Sequence, residues 1–261
     1  MPLSSSNTQE NIIGNIDLET PIYRIFSRQR FLELIKSKKN TLVKPSMWDD
    51  PFENAFLQCT AIMDDGQEVS LEDLRGKWYG QCWTTEKETD AMWRIYSQNK
   101  DGVRVKTTVK KIFHPLWYTY INTHGKSSCF MGKVEYKRRK EIEMSIEKSH
   151  AQNIILGKTS MAETLLIKRK EFDHEKEVRI LFQDIIHKGA SKIHQYDIDL
   201  NDTLDEITAD PRATLEEVEM LGEFINLLGI KAPFNQSDLY SFQPKKIKFA
   251  PDGQQLPIKH I

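Results

Sequence analysis

Lys170-Glu171-Phe172-Asp173-His174-Glu175-Lys176-Glu177-Val178-Arg179-Ile180-Leu181-Phe182 is the stretch on which the reading of this chain turns. It reads as a helix end running into a strand. Successive strand side chains point to opposite faces. Glu175, Glu177 and Arg179 therefore share one face, while Val178, Ile180 and Phe182 line the other. Two carboxylates side by side repel unless cations answer them. Such a face suits a site where positive charge develops, and its plain alternative is a solvated strand face.

The bounds around this stretch are set by composition. A length of 261 residues fits one large domain or two small ones, and 39% hydrophobic residues suffice for a core. Charged residues make up 29%, but the net charge of -1 gives no global field toward nucleic acid or membrane. Cys59, Cys82 and Cys129 are widely spaced and odd in number, which argues against a disulfide framework and for a reducing compartment. Met1 to Asn15 is polar without a signal-peptide pattern, and no apolar run nears the roughly 20 residues of a membrane helix. A soluble cytoplasmic protein with no membrane partner is the expectation.

Before the central stretch, Pro21 to Phe26 reads as a short buried strand with Arg24 embedded in it. Ser27 caps a helix through about Ser37, with Phe31, Leu34 and Ile35 at helical spacing. Thr41 to Val43 is a short strand that enters the loop Lys44-Pro45-Ser46-Met47-Trp48-Asp49-Asp50-Pro51-Phe52-Glu53. Tyr79 to Thr84 reads as a strand, and Thr89-Asp90 caps a helix carrying Met92, Trp93 and Tyr96, a face more typical of core. Val103, Val105, Thr107 and Val109 alternate as a strand, Lys110 to Tyr120 reads as a helix broken at Pro115, and Gly132 to Tyr136 reads as a strand. Ser160-x-x-Glu163 has the form of a capping box for a helix through about Phe172. After the central stretch come a turn at Lys188-Gly189, a strand from Ile193 to Leu200, and a second capping box at Thr214-x-x-Glu217. That box opens a helix ending at Gly229, and Ile247 and Phe249 suggest a last strand. Short strands with interspersed helices, lacking regular βαβ alternation, give an α+β class.

Three polar features interrupt apolar strands: Arg24, the hydroxyl pair Thr84-Thr85, and Glu175-x-Glu177. An arginine inside an apolar strand must find an anion or a set of acceptors, and its structural partner would be Asp50 or Glu53. Thr84-Thr85 alone has the form of a turn or cap. Arg, then a hydroxyl pair at a strand end, then Glu-x-Glu on a late strand resembles the Arg–Ser–Glu class of ADP-ribosyltransferases. That resemblance implies a split mixed or antiparallel sheet with flanking helices, and NAD as substrate. It implies Arg24 as the NAD anchor, Thr84 and Thr85 as braces of the nicotinamide pocket, Glu177 as catalytic carboxylate and Glu175 as the acceptor-side group. Cleavage of the nicotinamide bond builds oxocarbenium-like charge that a fixed carboxylate stabilises, and an arginine complements pyrophosphate. Arg179 would neutralise the pair of glutamates.

A second resemblance covers more of the chain. Tyr23-Arg24, Pro45-Ser46-x-x-Asp49-Asp50-Pro51-Phe52-Glu53, Cys82-Trp83-Thr84, Met92-Trp93-x-x-Tyr96, Gly102-Val103, Val134-x-Tyr136 and Lys170-x-Phe172-x-x-Glu175-x-Glu177-x-Arg179 resemble the bacterial family catalogued as domain of unknown function 2971. The likeness runs from about Tyr23 to Phe182, with a related Asp210-Pro211-Arg212-Ala213. It implies a toxin-like effector in phage defence. Tyr23, Ser46, Trp48 and Phe52 join the expected NAD site, where Trp48 or Phe52 would stack on a flat ring; the alternative is an Asp-Pro turn with aromatic plugs.

The expectation is thus a flexible tail over residues 1–20 and one catalytic domain over 21–261, with a core to about 185 and a C-terminal extension beyond. The acceptor is a nucleic acid or a protein, and an antitoxin is a candidate partner. Lys137-Arg138-Arg139-Lys140 and Lys168-Arg169-Lys170 would contact acceptor phosphates or form solvated faces. No metal motif is present. Two other function classes stand beside this one. Glu135-x-Lys137 after Asp101 faintly resembles a metal-dependent nuclease, and an inert sensor or antitoxin would use the same charges as a structural network.

Overall fold

The computed structural model describes residues 9–63, 65–121, 128–148, 157–187 and 189–246. In chain order its strands are β1 Ile12–Ile13, β2 Pro21–Phe26, β3 Lys39–Val43, β4 Thr60–Ile62, β5 Glu68–Ser70, β6 Trp78–Thr84, β7 Val103–Thr108, β8 Ser128–Lys133, β9 Glu135–Lys137, β10 Ile167–Arg169, β11 Glu177–Gln183, β12 Ile193–Asp197, β13 Glu206–Ala209 and β14 Phe234–Gln236. The main sheet runs β1-β8-β11-β6-β2-β7-β13-β14, and β3 adds to β6 with β12 outside it. Most pairs are antiparallel; β1 with β8 and β13 with β14 are parallel. The architecture is α+β with a mixed sheet, as the sequence led us to expect. Ile12–Ile13, inside the segment read as a tail, pairs with Met131 and Gly132.

The sheet is split along one edge of β6. β6 is fully paired with β11 from Thr84 to Trp78. Its other edge meets β2 only at Tyr23↔Thr84 and β3 only at Val43↔Gly80. Between these two rungs β2 and β3 diverge, and a cleft opens over Gln81, Cys82 and Trp83. Gly80 permits the close packing at one end, because a Cβ there would lie 2.6 Å from Cζ2 of Trp48 and 3.2 Å from Cδ2 of Leu181.

Local chemistry accounts for the elements around the cleft. Ser27 accepts from the Arg30 amide and starts helix Arg28–Ser37, which buries Phe31, Leu34 and Ile35. Thr89 accepts from the Met92 amide and starts helix Asp90–Tyr96. Thr214 and Glu217 form the reciprocal box of helix Leu215–Leu227. The main apolar cluster gathers Ile22, Trp83, Val105, Phe113, Val178, Ile180 and Phe182, while Leu181 joins a second one with Trp78, Phe130 and Leu166.

Several local expectations are corrected. Glu175 is not on a strand: it closes the 3-10 turn Lys170–Glu175, and Lys176 at φ 43° in the left-handed region breaks the backbone before β11 starts at Glu177. Helix Lys158–Thr164 begins at the Gly157 cap and stops well short of Phe172. Pairing of β10 with β9 takes over the chain there, because Lys168 is drawn to buried carboxylates. Pro115 sits inside helix Val109–Ile121 without ending it, since Val109, Ile112, Phe113, Leu116 and Trp117 bury one continuous face. The strand expected over Gly132 to Tyr136 is divided into β8 and β9, and β12 ends at Asp197, where Asp199 caps a short helix, Leu200–Thr203. The strand expected at Ile247 and Phe249, and Lys188 of the predicted turn, lie outside the described residues.

Candidate active site

The cleft has a volume of about 590 Å³, within the ~300–1,000 Å³ range of small-molecule sites. Arg24 and Tyr23 of β2, Trp48 and Glu53 of the loop after β3, and Cys82 and Thr84 of β6 all line it. Tyr96, Lys168, Phe172, Glu175 and Glu177 complete the wall. Six of the nine predicted residues therefore meet in one cavity: Tyr23, Arg24, Trp48, Thr84, Glu175 and Glu177.

The other three do not line it. Ser46 is exposed in the 3-10 turn Pro45–Met47. Phe52 is not among the lining residues, and its ring is flanked by the guanidinium carbons of Arg139 at 5.3 Å and Arg169 at 5.1 Å. The Thr85 hydroxyl donates to the Lys176 carbonyl at 3.3 Å, supporting the left-handed turn from outside.

At the floor lies a buried charge cluster that the sequence reading resolved only partly. Glu177 is 2% exposed and Arg179 0%, so this strand face is not solvated. Arg179 Nε donates to Glu177 Oε1 at 2.7 Å and Nη2 to Oε2 at 3.1 Å. Arg179 also pairs with Glu53 Oε2 at 2.9 Å and donates through Nη1 to the Leu165 carbonyl at 2.7 Å. The expected neutralising role of Arg179 fits these contacts. Lys168, 7% exposed, reaches Glu53 at 3.0 Å, Glu175 at 2.5 Å and Glu177 at 3.2 Å. It is thus neither a phosphate-contacting surface lysine nor part of a solvated helix face. Three carboxylates share two cations.

Electrostatics follow from these contacts. Burial opposes the charge on Glu177, but Arg179 and Lys168 outweigh it and hold the carboxyl down at about 2. Burial likewise opposes the ammonium of Lys168, and Glu177, Glu53 and Glu175 overcome it, raising Lys168 above its ordinary value. For Glu53, burial dominates over its two cations and the carboxyl is shifted up.

Glu175 is held at three points. Thr84 Oγ1 donates to its main-chain oxygen at 2.6 Å, Lys168 donates to Oε2, and the Tyr96 hydroxyl donates to Oε1 at 3.0 Å. Tyr96 was expected in the core with Met92 and Trp93. Those two are buried, but Tyr96 ends its helix 43% exposed.

Arg24 stands apart from this cluster. Asp50 is taken by Arg169 at 3.0 Å, and Glu53 by Lys168 and Arg179. Arg24 makes no ion pair among the described residues. It donates to the Cys82 carbonyl through Nη1, lies 5.1 Å from the Phe26 ring centre, and leaves Nε without a partner. Burial lowers this guanidinium from its ordinary value, a cost that a bound anion would offset.

Lys168, Glu53 and Tyr96 were missed as site residues. The sequence holds a signal for Lys168, which follows the apolar Ile167 and precedes the glutamates by seven and nine residues. Tyr96 and Glu53 carry none beyond their place in the motifs. Glu135 and Lys137, the nuclease candidates, pair with each other at 3.0 Å on β9, with Glu135 largely exposed. No cluster of metal-ligating side chains occurs among the described residues, and no helix among them is long and apolar enough to cross a membrane.

A family described as a protein of unknown function, DUF2971, matches residues 92–180. The match takes in Tyr96, Lys168, Glu175, Glu177 and Arg179, but not Arg24, Trp48, Glu53 or Thr84, so it is shorter than the motif likeness read from Tyr23. No curated protein matches the chain. Among solved structures, the chain is similar to DarT of Thermus sp. 2.9 in complex with NAD+, at 9% identity and a TM-score of 0.37, covering 87% of this chain and 100% of that one. It is also similar to the same protein in complex with ADP-ribosylated single-stranded DNA, at 11% identity and a TM-score of 0.36, covering 87% and 98%. Similarity of this degree assigns no function.

Proposed function

We propose that the protein is an NAD-dependent ADP-ribosyltransferase that modifies a nucleic acid or a protein and acts as a toxin or phage-defence effector. One observation carries this reading. Arg24, which makes no ion pair among the described residues, and an anchored pair of carboxylates, Glu175 and Glu177, line one cleft at the split of the sheet.

The residues suit the chemistry of glycosidic cleavage. Arg24 offers charge-assisted hydrogen bonds to the pyrophosphate of NAD. Trp48 and Tyr23 provide flat apolar wall for a ring. Glu177 stays anionic throughout the physiological range and stabilises positive charge as it develops on the ribose. Because Arg179 and Lys168 fix both its oxygens, it acts as an immobile charge. Glu175, at the more open edge, takes the proton of the acceptor. Thr84, on the cleft wall, fixes the turn that presents Glu175 and braces the nicotinamide pocket through it.

The test is incubation of the purified protein with NAD labelled in the ADP-ribose half, plus total cellular protein and nucleic acid. Nicotinamide release with label on macromolecules is the expected result, and the label on macromolecules should vanish in Glu175→Gln. Absence of both in a wild-type preparation that poisons cells would overturn the reading. An antitoxin would then be sought among proteins that relieve that toxicity.

A further inference from the structure

We infer that Tyr96 is a positioning residue for acceptor attack, setting which oxygen of Glu175 receives the proton. The inference rests on the transferase reading and deepens it. Glu175 Oε2 is occupied by the Lys168 ammonium, and its backbone is pinned by Thr84. Oε1 is held by one donor, the Tyr96 hydroxyl at 3.0 Å. That hydroxyl arrives from the last residue of helix Asp90–Tyr96, on the far wall from β11. The helix is fixed by its Thr89 cap and by buried Trp93, whose indole donates to Glu88 at 2.8 Å. The donor is thus held on an anchored element, while Tyr96 as a residue stays 43% exposed.

The consequence for chemistry is directional. The bond from ribose C1′ to the nicotinamide nitrogen breaks, and its electron pair leaves with neutral nicotinamide. A heteroatom of the acceptor gives its lone pair to C1′, and its proton passes to Glu175 Oε1, later returning to water. A carboxylate free to rotate would present Oε1 in many orientations, whereas one tethered at both oxygens presents a single lone-pair direction to the incoming group. Water, being small and mobile, attacks C1′ without needing that direction. Tyr96 therefore governs the partition between transfer and hydrolysis.

The experiment compares wild type with Tyr96→Phe, which keeps the ring, using labelled NAD and total cellular nucleic acid and protein. Transferred label and free labelled ADP-ribose are measured in the same reaction. The ratio of transfer to hydrolysis should fall about five- to tenfold, the value of one hydrogen bond, at unchanged KM for NAD. A ratio equal to that of wild type, or a rise in KM with the ratio preserved, would overturn the inference by making Tyr96 inert or a wall of the NAD pocket. Failure of wild type to release nicotinamide would instead overturn the transferase reading, and this inference with it. A melting midpoint for the variant close to that of wild type separates either outcome from misfolding.

Discussion

Thr84 Oγ1 donates to the main-chain oxygen of Glu175 at 2.6 Å, joining residues 91 positions apart, and the Thr84 hydroxyl in turn accepts from the Glu86 amide at 3.0 Å. One hydroxyl thus ties the end of β6 to the turn that precedes β11. Thr84→Val keeps the shape and removes both bonds. Stability should fall by about 1–3 kcal/mol, the cost of leaving buried partners unpaired. NAD consumption should fall further than that loss explains, because the glutamate turn loses its tether. Chemical denaturation and nicotinamide release measured on the same preparation check this.

Glu177 is as much a structural hub as a candidate catalytic group. Removing its charge strands Arg179 and Lys168 in a buried site, so Glu177→Gln should cost about 3–5 kcal/mol. Arg179→Met should cost a similar amount. The double variant should recover part of the sum, since each removal relieves the burial left by the other. Urea titrations of the four proteins give the coupling, and strict additivity would contradict the cluster. Glu175→Gln is consequently the cleaner probe of activity.

The acid limb of stability has a sign set by the same cluster. Glu177 is depressed from 4.5 to about 2, so its contribution is present above about pH 4.5 and is lost as pH falls toward 2. That contribution is on the order of 3 kcal/mol. Glu53 is shifted up and runs the other way, favouring the fold below its ordinary value and losing that advantage as pH rises. The expected net result is a steep loss of stability between about pH 4.5 and 2 that Glu177→Gln flattens, measured by denaturation across pH.

Arg24 should behave differently from Arg179. It has no ion pair to lose among the described residues, so Arg24→Ala should change stability by about 1 kcal/mol. NAD affinity should drop about tenfold to a hundredfold, the value of charge-assisted hydrogen bonds to an anion. Calorimetric titration with NAD, alongside thermal melting, separates the two effects.

Gly80 is the close-packing point beneath Trp48. Gly80→Ala places a Cβ 2.6 Å from Trp48 Cζ2, so the indole must tilt into the cleft. A cost of about 1–3 kcal/mol and a changed tryptophan fluorescence are expected, and neither should accompany Gly76→Ala, where φ is -59° and the nearest heavy atom would lie at an ordinary 3.6 Å.

Elements with their own local signals were legible in the sequence. The caps at Ser27, Thr89 and Thr214 stand where their chemistry put them, and the alternation Val178-Ile180-Phe182 does face one core. Long-range electrostatics overrode local pattern elsewhere. Lys168 sits in a basic triplet that reads as surface, yet three distant and near carboxylates draw it inside. Glu175 falls on the alternation of β11, yet a left-handed Lys176 takes it off the strand and still aims it at the same ammonium. Arg24 was recognised because an embedded charge in an apolar strand demands a partner. That its obvious partners are already occupied is knowledge only three dimensions supply.

The split sheet has a consequence for the newborn chain. Tyr23, Thr84 and Glu177 meet through β2, β6 and β11, three strands adjacent in space and spread along the polypeptide. On the ribosome, Arg24 emerges early and waits, because the strand carrying Glu177 leaves the exit tunnel long after β2 and β6. Non-local pairing of this kind also assembles late. A nascent fragment ending between Thr84 and Glu177 carries Arg24 but not the carboxylate pair. The complete cleft requires β11, so the site cannot be assembled on the ribosome before Glu177 has been added and has left the tunnel.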